Sequence, residues 1–494
     1  MSFPRFLLIF LALLCLCALP LALVEIPPLV DYPNHLARMH ILAEYAGSET
    51  LRRFYTVEWR PLPNLAMDLI VPALSRFMPL AVAGKIFLVA VFALLAGGSA
   101  LLHRVLFGRW SPWPCLAFLF LYNRILIWGF VNFLFGLGLG LCGFAAWIKL
   151  RQSPAWIRIA VSSVLALAVY LSHLFAFGAY GLLVASFELG AIFREKNIRI
   201  FSRHNAIQLA VAGIQAVIPA ALFLLSPAGE GGGRIEFSPF LRKFDLLFNV
   251  FDNYSRWFDV TSFLLILGLF FYGWAKRRIA IHPAMFWPLG ILVLAQIVMP
   301  NKILTASGVD HRMPLVLALV LVGSIGGTEL LRRGKLLFTG LFLLLLLRVG
   351  VVGAYWHGFE AIYRPALAAL SALPQGSRIA LGFPPEAVNV PRQGPPLVHL
   401  PTLAAFDGAF VPTLFAMGGQ QPLAFKPEYR ALAAATDSEA IWHYFVTGDA
   451  PAPAILSRYD YLVLTAPAAF ETASNKGLIP IALQPQFKLY RVAP

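Results

Sequence analysis

Charged side chains are scarce in this sequence. They make up 13% of its 494 residues, where soluble domains carry roughly a quarter, so an ordinary water-soluble globule is excluded at the outset. Cysteine is rarer still. The four present, Cys15, Cys17, Cys115 and Cys142, all sit in apolar runs, which excludes a disulfide framework and leaves packing as their use. No H-E-x-x-H, P-loop or G-x-S-x-G string occurs, so three common catalytic signatures are missing.

What fills the chain is apolar. Hydrophobic residues reach 59% and the mean hydropathy is +0.74. Eleven segments approach the ~20 residues a helix needs to cross a bilayer. They are Phe6 to Leu23, Leu80 to Leu102, Pro114 to Ile125, Phe130 to Ile148, Trp156 to Leu171, Phe175 to Ile192, Ile207 to Leu225, Val260 to Trp274, Ala284 to Val298, Leu315 to Gly326 and Leu336 to Tyr355. The expected fold class is a polytopic α-helical membrane protein of about 11 spans, residues 1–356.

Acidic residues are the scarcer sign, 24 against 39 Lys and Arg, for a formal net charge of +15. From His357 onward the signs balance, nine against nine, so the surplus lies wholly in the membrane part. That placement suits topology rather than nucleic acid, because cytoplasmic loops collect Lys and Arg. No nucleic-acid partner is expected. With the N-terminus inside, the cytoplasmic pieces carry Arg5, Arg104, Arg109, Lys149, Arg151, Arg158, Arg194, Lys196, Arg199, Arg203, Lys276, Arg277, Arg278, Arg332, Arg333 and Lys335. The chain is thus expected in the plasma membrane, the inner membrane of a bacterium, with the carboxylates mostly on the far side.

Three outer regions follow from that orientation. The first loop, residues 24–79, contains amphipathic helices near Asn34 to Tyr45 and Asn64 to Phe77. The loop from Ser226 to Asp259 carries a glycine-rich stretch and an interfacial pattern. The tail, residues 357–494, reads as a small α/β domain, with strands at Ser377 to Phe383, Tyr459 to Thr465 and Phe487 to Val492.

One string match carries no chemistry. Gly138-x-Gly140-x-x-Gly143 lies inside an apolar span without a preceding strand, so close helix packing explains it, with Gly136 in the same run. Asp31 is different because of its place. It stands where the chain first leaves the membrane, ahead of Pro33 and an amphipathic helix, and can serve as a helix cap or as an interfacial base. His35 and Arg38 project from roughly the same side of that helix. Arg124, His173, Asp252, Arg256, Lys302, Asp310, His311 and Arg312 map to the same membrane face and suggest a polar cavity. Lys85 and Arg348 fall within spans and require partners there.

This layout resembles the glycosyltransferase C superfamily of integral membrane enzymes. The likeness rests on a first span followed by "DYPNH" in the first outer loop, amphipathic helices in that loop, spans joined by short cytoplasmic turns and an outer α/β tail. It implies sugar transfer from a polyprenyl-phosphate donor to a lipid, glycan or protein acceptor, in contact with membrane lipids. It also implies Asp31 as the inverting general base. His35, Arg38, Arg124, His173, Arg256, Lys302, Asp310, His311 and Arg312 are substrate-binding candidates by their place in the topology, not by a matched motif. Many members carry two acidic residues together in the first loop. Here Tyr32 and Pro33 follow Asp31, and one carboxylate is a poor divalent-cation site, so no metal or other cofactor is expected. A transporter or flippase of lipid-linked saccharides is the alternative, although no duplication between halves supports it.

Overall fold

The computed structural model describes residues 1–194, 203–226, 234–303, 306–327, 334–388, 394–416, 418–449, 451, 453–473 and 477–493. Residues 229–233 of the glycine-rich stretch lie outside the described residues, as do Lys196, Arg199, Arg332 and Arg333. A polytopic helical bundle with a small sheet region at one end is the architecture. Among the described residues seven helices are long and apolar enough to span a membrane: Phe3–Ala22, Leu80–Phe107, Val131–Gln152, Ala155–Ser172, Leu174–Arg194, Arg256–Ala275 and Lys335–Ser371. The expected span at Ile207 to Leu225 is a helix pair, Asn205–Ile214 and Val217–Leu224, bent by 43°. The remaining three expected spans coincide with shorter apolar helices, Trp113–Trp128, Pro283–Val298 and Met313–Ser324. All four cysteines are free.

The Val131–Lys149 helix is central, and glycine lets its neighbours close on it. A Cβ at Gly138 would stand 2.6 Å from the Leu94 Cβ and 2.7 Å from the Leu94 backbone, so this face admits no larger residue. The ionisable groups inside the bundle have found partners, as burial in a low-dielectric medium demands. Arg348 pairs with Asp259 at 3.1 Å and donates to the Phe251 carbonyl at 2.9 Å. Lys85 donates to the Val24 carbonyl at 2.6 Å. Glu188 takes Arg158 at 2.6 Å and the Trp147 indole at 2.9 Å.

At the loop end, the helix Tyr32–Glu44 crosses the helix Ala66–Ser75, and a buried ion pair joins them. Arg38 meets the Asp68 carboxylate through both arms of its fork, Nε to Oδ1 at 2.8 Å and Nη2 to Oδ2 at 2.9 Å. Beyond it, strand Tyr55–Val57 of the first loop pairs antiparallel with strand Leu423–Phe425 of the tail. The four-stranded sheet runs Ile379–Gly382, Tyr461–Thr465, Phe487–Val492, Leu478–Leu483, the first pair parallel and the others antiparallel. Its first three strands coincide with the expected ones. The fourth carries Pro480 on a sheet edge, and the register shifts between Pro480 and Ala482, the kind of position a strand proline takes.

The helix Lys335–Ser371 runs unbroken from the membrane into this region. Buried apolar residues form one continuous cluster from Cys17 to Tyr490, so bundle, first loop and tail share a core.

The Arg38–Asp68 pair makes a stability prediction. Arg38→Ala strands a buried carboxylate and is expected to cost about 3–5 kcal/mol, whereas Arg38→Met combined with Asp68→Leu should recover most of that. Thermal unfolding in detergent measures both, and a single variant as stable as the parent would refute the clamp.

Candidate active site

The chain leaving the first membrane helix is held against a turn from another part of the bundle. Val30 N donates to the Ile127 carbonyl at 2.9 Å and Asp31 N to the Trp128 carbonyl at 3.0 Å. That turn follows the short helix Arg124–Trp128, whose N-terminus Asn123 caps by accepting from the Ile125 and Leu126 amides at 2.9 and 3.1 Å. Gly129 ends it with φ +89°, and a Cβ there would stand 2.9 Å from Asp31 N and 3.0 Å from the Asp31 Cβ. Only glycine meets both demands, the left-handed conformation and the close approach.

Asp31 occupies the cap position of the Tyr32–Glu44 helix, yet its carboxylate accepts no cap hydrogen bond. Its oxygens are therefore not spent on the helix. The side chain is partly buried, and His399 of the tail faces it, Nε2 to Oδ1 at 3.6 Å. Burial pushes the Asp31 carboxyl up to about 7, while the guanidinium groups of Arg312 and Arg38 pull the other way.

Asn34, one turn along, fixes the neighbourhood. Its Nδ2 donates to the Thr413 carbonyl at 2.8 Å and meets His399 Nδ1 at 3.1 Å, while its Oδ1 accepts from the Phe415 amide at 2.7 Å. Both His35 and His399 set their rings edge-on to Phe415, at 5.4 and 5.2 Å. His35 is buried, and its Nδ1 has no partner among the described residues. Burial, with Arg38 and His399 adding to it, drives the His35 pKa well down. His399 falls to about 4 through burial.

A cavity of ≈ 540 Å³ joins polar and apolar walls nearby. Asn64, His173, Gln420 and Arg312 supply its polar lining, and Leu182, Phe223, Met299 and Ile303 its apolar one. His173 Nδ1 accepts the Phe175 amide at 3.0 Å, which leaves Nε2 to carry the ring proton. Arg312 has its guanidinium 4.6 Å from the Phe130 ring centroid and donates from Nη2 to the Ser307 carbonyl at 3.4 Å. Its Nε has no partner among the described residues. A second space of ≈ 490 Å³, walled by residues such as Phe263, Phe270 and Leu341, is almost wholly apolar and holds none of these groups.

Asp31, His35, Arg312 and His173 are thus brought to one end of the bundle. The other expected residues have different company. Arg38 is taken up by Asp68, and Arg124 by Asp252. Asp310 pairs with Lys243 at 2.6 Å, and His311 lies 3.0 Å from Asn249 Nδ2 and 4.9 Å from the Trp128 ring. Lys302 forms a partly exposed pair with Glu236 at 3.5 Å, and Arg256 is exposed at the start of its helix. Among the described residues no three His, Cys, Asp or Glu side chains converge as a metal site would require. Asn34, Gly129 and His399 carried no signal in the sequence that marked them. His399 lies 365 residues from Asn34, and no local pattern could connect them.

No protein-family model and no curated protein matches the sequence. Among solved structures, the chain is similar to ArnT from Cupriavidus metallidurans. The crystal structure of that protein bound to undecaprenyl phosphate gives a TM-score of 0.54 at 12% identity, over 99% of this chain and 98% of that one. Its apo structure gives 0.55 at 13% identity, with the same coverage. The likeness is one of fold, and it runs over nearly the whole of both chains, bundle and tail alike.

Gly129→Ala tests the seat of Asp31. The left-handed backbone alone is expected to cost roughly 1–2 kcal/mol, and the clash should loosen the Val30 and Asp31 amides. Hydrogen exchange at those two amides reads this directly; protection equal to the parent's would contradict it.

Proposed function

We propose that this chain transfers a sugar from a polyprenyl-phosphate donor to an acceptor hydroxyl, with inversion, and that Asp31 is the general base. The observation that carries the reading is the cavity walled by Arg312, the cation that acts on the Asp31 carboxyl, with Arg312 and His173 in its polar lining and Leu182 and Phe223 in its apolar lining. A phosphate on an isoprenoid tail has that same division of polarity. The solved structure of ArnT, a protein of this fold, holds undecaprenyl phosphate, which lends the donor class weight.

The chemistry follows from these groups. The acceptor oxygen attacks the anomeric carbon as its bond to the phosphate oxygen breaks, and the acceptor proton passes to Asp31. A carboxyl near pKa 7 is well matched to that transfer, because it is substantially ionised at neutral pH and still basic enough to take the proton. The departing polyprenyl phosphate gains negative charge. Arg312, a cation whose Nε has no partner among the described residues, and the His173 Nε2–H receive it in this reading.

In this reading the site faces the outer side of the membrane and the N-terminus lies in the cytoplasm. The basic residues of the opposite turns, such as Arg104, Lys149 and Lys276, support that orientation. The acceptor is a lipid, glycan or protein.

Purified protein in lipid, offered polyprenyl-phosphate sugars, tests the proposal through release of polyprenyl phosphate. Asp31→Asn is expected to lower the rate by about 10²–10⁴-fold; transfer surviving that change undiminished would remove Asp31 as the base. Arg312→Leu should raise the KM for donor more than it lowers kcat.

The pH profile gives a second check. A base must be deprotonated, so activity should fall as pH drops through about 7. A profile flat between pH values well below and above that point would be inconsistent with a base of this pKa.

A further inference from the structure

Asn34 dictates which nitrogen of His399 bears the proton. Its Oδ1 accepts the Phe415 amide at 2.7 Å, so its amide nitrogen must be the end that faces His399 Nδ1 at 3.1 Å. The same nitrogen donates to the Thr413 carbonyl at 2.8 Å, which fixes the amide from both sides. A donor facing Nδ1 makes that atom the acceptor, and the ring proton then resides on Nε2. Nε2 is the atom directed at Asp31 Oδ1. The His399 backbone is anchored as well, its carbonyl accepting from Thr402 Oγ1 at 2.6 Å.

We infer that His399, supplied by the C-terminal region, is a positioning residue for Asp31, its Nε2–H directed at Oδ1 so that Oδ2 is the oxygen left for the acceptor hydroxyl. This rests on the assignment of Asp31 as the base. The 3.6 Å separation exceeds a hydrogen bond; catalytic contacts of this kind are often long before substrate binds and tighten in the complex. A neutral ring suits the role, because a donor steadies the carboxylate without the full charge that would make it a poor base. The other groups bearing on the pair are Arg312 at the start of the Met313–Ser324 helix and Arg38 and His35 on the loop helix. Arg124, from the adjoining turn, is engaged with Asp252.

Loss of the donor should therefore raise the Asp31 pKa, since a hydrogen bond to the charged form favours that form. The test is an infrared titration of the Asp31 carboxyl in full-length protein in lipid, with the Asp31→Asn spectrum subtracted. His399→Leu is expected to move the pKa up by roughly one unit, and His399→Gln, whose amide nitrogen can stand where Nε2 stands, to leave it close to the parent's. The acid limb of the transfer profile should move with it. Should the leucine variant fail to fold, His399→Asn, polar but too short to reach Asp31, replaces it. An unchanged titration in the leucine or asparagine variant, or a glutamine variant shifted as far as they are, would overturn the inference. The titration requires neither donor nor acceptor. A parent protein that transfers no sugar would defeat the proposed function and leave the titration standing, while an unmoved carboxyl would defeat only the role of His399.

Discussion

The buried ion pair between Arg38 and Asp68 is the constraint around which the loop end is arranged. Two charges removed from water recover their desolvation cost only when geometry is close to ideal, and the two-armed contact at 2.8 and 2.9 Å provides that. The pair fixes the Tyr32–Glu44 helix to the Ala66–Ser75 helix. Asp31 stands at the beginning of the fixed helix, so its backbone inherits the same rigidity. Asn132 reinforces the second helix by accepting the Met67 amide at 2.8 Å and donating to the Asn64 side chain at 2.9 Å. Asn64 in turn lines the amphipathic cavity. The clamp thereby connects the carboxylate to the wall of the space beside it.

Charge pairing also sorts the basic residues at this end. Arg38, Arg124 and Lys243 each face a carboxylate of their own, and a cation so neutralised has little left to offer an anionic ligand. Arg312 is held differently. The quadrupoles of Phe130, Phe133 and Phe175 attract its guanidinium without cancelling its charge, at 4.6, 5.7 and 5.7 Å from the ring centroids. An arginine supported by aromatic faces, with Nη2 on the Ser307 carbonyl and Nε without a partner among the described residues, keeps charge and donor capacity for something else, which is why it stands apart from the other expected cations.

Much of the fold was legible because the bilayer imposes a length. Each of the eleven apolar segments coincides with helix, and the glycine run inside one of them marks a close approach, as at Gly138. Asp31 was legible for a topological reason, being where the chain first reaches the loop end. What escaped was tertiary. Helical spacing put Arg38 on the side of Asp31 but could not reveal that Asp68 consumes it. The strand pair Tyr55–Val57 with Leu423–Phe425 is three residues long on each side, too short for an alternating pattern to register. His399 offered no periodicity, motif or charge cluster to notice.

The reason His399 can matter at all is that the tail is not an appendage. The Asn34 side chain spends its hydrogen bonds on the tail, at Thr413, Phe415 and His399. The strand pair adds backbone bonds between loop and tail, from Glu58 N to the Pro422 carbonyl at 2.8 Å and from Lys426 N to the Phe54 carbonyl at 3.0 Å. The Lys335–Ser371 helix joins the tail to the bundle without a break. A carboxylate near a membrane surface would ordinarily be well solvated and strongly acidic. Here the tail sets His399 against it on one side and the Ile127–Gly129 turn packs on the other, and the resulting burial raises the Asp31 pKa and gives a loop aspartate basicity at neutral pH.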